Sequence, residues 1–172
     1  MATNRPATPR VVFALVASSA LLAACGSIPN PFQSSEPPPV APAPAELPSK
    51  YTPEELVGRW GLASYHREPD RARTERAAQG QCRQPYVIAR GPSGGIMMHL
   101  ADQRQQTEQR LKGSPDGKNY IGPPGEPAGG PQDREILSFN GRVLVTRYVD
   151  PDAGTRYGNM VYVRCGAPGA KR

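Results

Sequence analysis

Side chains that could do chemistry are few in this sequence: three cysteines at positions 25, 82 and 165, and two histidines, His66 and His99, among 172 residues. A zinc site needs cysteines and histidines at short, paired spacings. Neither histidine has such a neighbour, so no metal is expected. Acyl-transfer chemistry of the Gly-x-Ser-x-Gly type has no match, and Gly91 to Gly95 lacks the lysine and following helix that a phosphate-cradling loop requires. Glu54 and Glu55 stand side by side, but a helix cap explains them. The residue types therefore predict no catalytic residue, no cofactor and a role other than catalysis.

The elements that position these residues begin with a targeting segment. Arg5 to Arg10 is a basic head, Val11 to Leu22 an apolar run, and Ala23 and Ala24 are small residues ahead of a cut, the three parts of a secretory signal. The run is too short to cross a bilayer, which takes ~20 apolar residues. Leu22-Ala23-Ala24-Cys25 resembles the lipobox of bacterial lipoproteins. That resemblance implies diacylglycerol on the Cys25 thiol, loss of residues 1–24 and acylation of the new amine. It also implies sorting by the next residue: with Gly26 and Ser27 in place of aspartate, the destination is the outer membrane, the domain facing the periplasm. One acyl chain holds weakly and two or three hold stably, at ~0.8 kcal/mol per buried methylene. The membrane is thus a partner through lipid alone.

Lipidation leaves Cys82 and Cys165 as an even pair in an oxidising compartment, which reads as a disulfide, the alternative being two free buried thiols. Removing 24 of 172 residues leaves 148, enough for one small domain and a tether. The formal charge of +6 falls to about +4 once Arg5 and Arg10 leave and the amine is acylated. Such a balance speaks to solubility and only weakly to an acidic partner. Export argues against nucleic acid. Residues 25–50 form the lipidated N-terminus and linker, with eight prolines between Pro29 and Pro48. Proline favours an extended polyproline II spacer of ~3.1 Å per residue.

Residues 51–166 read as the folded domain and 167–172 as a tail. Thr52, Pro53 and Glu55 make a capping box for one helical turn. Strands are expected over Leu56–Tyr65, Cys82–Ala89, Ile96–Leu100, Lys118–Ile121, Glu135–Phe139, Arg142–Val149 and Thr155–Cys165. Gln103–Lys112 fits an exposed helix or an edge strand, and the closely bracketing turns favour strand. His66 to Gly80 lacks an apolar face and reads as a solvated excursion, with Pro69 able to start a short helix and Gly80 able to end it. Asn140-Gly141 suits a type I′ hairpin turn, Asp150 to Gly154 reads as a turn, and Gly122 to Gln132 as a long loop.

Seven or eight short strands with regular turns predict an all-β fold, a small antiparallel up-and-down barrel in which the last strand pairs with the first. A helical turn feeding Gly58-Arg59-Trp60 is similar to the Gly-x-Trp signature of the calycin barrels, including lipocalins. The lipidated, proline-tethered barrel also resembles the bacterial protease-inhibitor and outer-membrane lipoprotein family, from which the Cys82–Cys165 pairing departs. The resemblance implies a basic residue from a late strand packed on Trp60, with Arg147 and Arg164 as candidates. Two roles follow. One is an interaction module with an envelope protein partner, inhibitor-like in character. The other is a carrier of a small apolar ligand in a cavity lined by some of Trp60, Tyr65, Met97, Tyr148 and Tyr162. A barrel this short favours a filled interior and the first role.

Overall fold

Alternating apolar positions and turn residues divide the described residues, 47–166 of the computed structural model, into nine strands, three short α-helices and two 3-10 turns. Residues 1–24, Cys25, most of the linker and the tail lie outside the described residues. In chain order the elements are β1 (Leu47–Pro48), α1 (Pro53–Leu56), β2 (Gly58–Tyr65), α2 (Arg71–Gly80), β3 (Tyr86–Arg90), β4 (Ile96–His99), β5 (Gln106–Gly113), β6 (Asn119–Gly122), β7 (Arg134–Phe139), β8 (Val143–Tyr148), α3 (Pro151–Tyr157) and β9 (Asn159–Arg164).

Strands β2 to β9 close into an eight-stranded antiparallel barrel. Each pairs with its neighbour in sequence, and β9 returns to β2 from Trp60 opposite Arg164 to Tyr65 opposite Asn159. Closure of this kind leaves no exposed strand edge among these eight. β5 is shared along its length. Its first half pairs with β4, its second half with β6, and the two residues of β1 lie beside Lys112 and Gly113. Gln103–Lys112 thus contributes a strand, starting at Gln106.

Side-chain alternation fills the barrel. Trp60, Ile88, Ile96, Met98, Ile121, Leu144 and Tyr162 all point into one buried cluster, joined by Leu56 from α1. Residues of the opposite parity on β2, β8 and β9, namely Tyr65, Val145, Val161 and Val163, form a second buried cluster with Ala78 of α2. Here the structure corrects the expectation of a solvated excursion. α2 lies against β2 and β9, burying Thr74 and Ala78. It can do so because position 61 is glycine: a Cβ there would stand 1.8 Å from the Ala78 carbonyl oxygen. Two small helix residues packed over a single strand glycine make a close contact without an apolar helix face.

Three further expectations change. Cys82 sits in a 3-10 turn, Gln81–Arg83, ahead of β3 rather than on it, so the disulfide to Cys165 ties the end of α2 to the end of β9, with Cα atoms 5.5 Å apart. The β7–β8 turn is not type I′, which requires positive φ at both central residues. Gly141 has φ +81°, whereas Asn140 stays in the ordinary region and its Oδ1 accepts from the Arg142 and Val143 amides. Asp150 to Gly154 is not a free turn either. The Asp150 carboxylate caps α3 by accepting from the Ala153 amide at 2.7 Å, and Pro151 occupies the first helical position.

Candidate functional site

The two ends of the barrel are built differently, and the register says which is which. At one end lie Gly58 of β2, Arg164 of β9, the β7–β8 turn and Gly113 of β5, where the chain comes in from the linker. Buried Asn119 holds that entry, its Oδ1 accepting from the Lys50 amide at 2.8 Å and the Ser49 hydroxyl at 2.9 Å. Trp60 and Arg164 close this end. The indole donates to the Leu56 carbonyl at 2.9 Å, and the Arg164 guanidinium lies 4.2 Å from the ring centroid. Arg164 also donates to the Val57 and Gly141 carbonyls, at 3.1 and 2.9 Å, and to that of Glu55. It thus staples α1 and the β7–β8 turn over the tryptophan. Gly58 makes room: its φ is +150°, and a Cβ would fall 2.7 Å from the Arg164 Nη1.

Of the two candidate arginines, Arg164 therefore reaches Trp60. Arg147 instead is exposed on β8 and pairs with Glu135 at 3.1 Å.

The opposite end is open. His99 ends β4, Arg134 begins β7, Tyr148 ends β8, and α3 runs along the rim. Two adjoining hollows of about 240 and 250 Å³ lie here, and both are lined by Leu100, Asp102, Gln103 and Tyr148. The smaller one reaches Arg134, which is 3% exposed and the only buried arginine among the described residues. Its Nη1 donates to the Tyr162 hydroxyl at 3.0 Å and its Nη2 to the His99 carbonyl, while the guanidinium stacks 4.7 Å from the Tyr148 ring centroid. No carboxylate pairs with it among the described residues. The adjacent Asp133 is committed elsewhere. One of its oxygens lies 2.7 Å from the buried Lys112 ammonium, and the other accepts from the Gly129 amide at 2.9 Å.

Tyrosines surround the cation. Tyr86 packs edge-on against Tyr162 at 5.6 Å, and its hydroxyl accepts from the His99 amide at 3.0 Å. Burial pushes the Tyr162 and Tyr148 hydroxyls above the ordinary tyrosine value against the opposing pull of Arg134. Both remain protonated donors at neutral pH. Burial opposes the charge on Arg134 itself, the surrounding hydroxyls favour it, and the net direction of its pKa is upward. At the rim, Asp102 is matched by Arg156 at 2.5 Å and by the Tyr157 hydroxyl, whose pKa this hydrogen bond raises.

No known protein family, curated protein or solved structure matches this chain.

The cavity-lining expectation is met by Tyr148 and Tyr162 only. Trp60 is sealed at the far end, Tyr65 lies on the outer face with its hydroxyl 2.9 Å from Glu68, and Met97 alternates away from the buried Met98. Sequence reasoning missed Arg134 altogether. The available signal was its place between Asp133 and an apolar strand, which reads equally well as an ordinary solvated ion pair.

Proposed function

We propose that this protein is an outer-membrane lipoprotein, anchored through lipid on Cys25, whose barrel is a non-catalytic binding module of the cell envelope. One observation carries the reading. The barrel interior is packed with side chains, and the open mouth lies at the end opposite the entry of the tether. A domain held by its closed end presents its mouth outward to a partner. A proline spacer extended at ~3.1 Å per residue gives it reach. The described residues show no helix long and apolar enough to cross a membrane; the attachment in this proposal is lipid on Cys25.

The carrier reading draws support from the mouth hollows and their tyrosines. Ligand pockets usually enclose ~300 to 1,000 Å³, and neither hollow reaches that size or is enclosed. The filled core favours recognition at the mouth over storage within. Two measurements test the proposal. A fatty-acid probe should label wild-type protein and leave Cys25→Ala unlabelled and released from the membrane; equal labelling of both would refute the anchor. Organic extraction of purified protein should yield no stoichiometric lipid beyond the covalent acyl chains, and a bound lipid would favour the carrier.

A further inference from the structure

We infer that the mouth of the barrel is an anion site centred on Arg134, and that it takes a carboxylate borne on a body about the size of one aromatic ring. This deepens the proposed binding role by naming the chemistry the mouth recognises.

Charge is the first argument. Taking an arginine out of water is costly unless an anion accompanies it. The carboxylate next to Arg134 in sequence belongs to Lys112, and the acid at the rim, Asp102, is held by Arg156 and Tyr157. Two neutral acceptors, a hydroxyl and a carbonyl, are all that the described residues offer Arg134. The other buried cation among the described residues, Lys112, is matched by Asp133.

Donor geometry is the second. The Tyr162 hydroxyl accepts from Arg134, leaving its own proton to give. The Tyr148 hydroxyl makes no hydrogen bond among the described residues, and Tyr148 borders both hollows. A guanidinium flanked by two free hydroxyl donors is suited to an oxyanion, and Arg is the side chain that binds carboxylates in a fork. Size and lining set the rest. About 240 Å³ walled by Leu62, Met160 and tyrosine rings accommodates a single ring and is too small to enclose a long acyl chain.

The test titrates the full chain, purified in non-ionic detergent, with benzoate, with benzamide as its uncharged counterpart, and with N-acetylphenylalanine as a mimic of a protein C-terminus, read by calorimetry. Benzoate should bind saturably at one site and benzamide at least about tenfold more weakly, the discrimination expected of a charge-assisted contact. Arg134→Gln should abolish the preference for benzoate. Should that variant fail to fold, Leu100→Trp, which fills the mouth without removing any donor, should block benzoate while leaving the melting transition in place. N-acetylphenylalanine binding as well as benzoate assigns the site to a chain terminus, and benzoate binding alone assigns it to a free acid. Absence of benzoate binding, equal binding of benzamide, or benzoate binding unchanged in Leu100→Trp overturns the site. Partner capture from the mouth in cells would survive that failure, which separates it from failure of the binding role itself.

Discussion

Gly61→Ala should destabilise this domain far more than a change of one methyl-sized group at an exposed position of the same strand, such as Ser64. The substitution adds one methyl group to a position whose backbone is ordinary, so helix and strand propensity are not at issue. Its Cβ would lie 1.8 Å from the Ala78 carbonyl oxygen and 2.7 Å from the carbonyl carbon. Both are helix backbone and cannot rotate aside. α2 would have to lift by well over 1 Å, a shift opposed by the disulfide at its end, where the Cys82 sulfur is only 3.4 Å from the same Cβ. Lifting it uncovers Ala78 and the edges of Tyr65, Val161 and Val163, all buried in wild type. Overpacking of a tight core costs ~1 to 3 kcal/mol, and a rigid backbone neighbour places this case at the top of that range or above. With an unfolding entropy of about 2.1 cal/mol/K per residue over roughly 120 residues, ~3 kcal/mol lowers the melting temperature by ~12 °C. Thermal unfolding followed by circular dichroism measures it, with exposed Ser64→Ala as the control. A Gly61→Ala protein melting within about 2 °C of wild type would refute the packing of α2 on β2.

Other expectations follow from the same contacts. Cys82→Ser with Cys165→Ser opens a loop with a sequence separation of 83 and should lower stability by up to ~4.5 kcal/mol in the chain-entropy account; denaturant midpoints unchanged by reductant in wild type would contradict it. Trp60→Ala should cost ~3 to 5 kcal/mol, and Arg164→Met less but clearly more than Arg147→Met; equal effects of the two arginine changes in urea unfolding would remove the Trp60–Arg164 clamp. Glu108 accepts from the amides of Gly95 and Ser93, which hold its pKa below 4.5. Its contribution to stability is therefore present above pH 4.5 and lost as pH falls through the lowered value. Glu108→Gln should be less stable than wild type at pH 7 and converge with it in acid, and a constant difference across the series would exclude that role.

The architecture was largely readable because its signals are local. Alternation in β2, the apolar run Met160–Val163 in β9, the capping box at Thr52 and the turn residues around β4 each act over a few positions. The closing pair of first and last strands followed from their count. What escaped was set by contacts distant in sequence. α2 shows no apolar stripe because it buries only Ala78 and Thr74, with Gly61 of β2 beneath it. α3 carries the same start signal as α1, a capping side chain followed by proline, but Gly154 within it favoured reading a turn. The β7–β8 turn departs from type I′ because Asn140 folds its side chain back onto the loop amides. The plugged end was half legible: Gly58 and Trp60 pointed to it, and only closure of the barrel could choose Arg164 over Arg147. Arg134 was illegible. Its burial arises when closure brings the start of β7 to the end of β4, and its lack of a carboxylate arises because Lys112, twenty-odd positions away, claims Asp133.

Photo-crosslinking in intact cells, with probes at the mouth on Gln103 and Gln132 and at the tether end on Asn140 and Lys118, shows which end of the barrel meets an envelope protein. A binding module that presents its mouth should give a discrete envelope-protein adduct from the mouth positions that is absent from the tether-end positions and is lost when Cys25→Ala releases the protein from the membrane. Adducts of equal yield from both ends, or from the tether end alone, would contradict it.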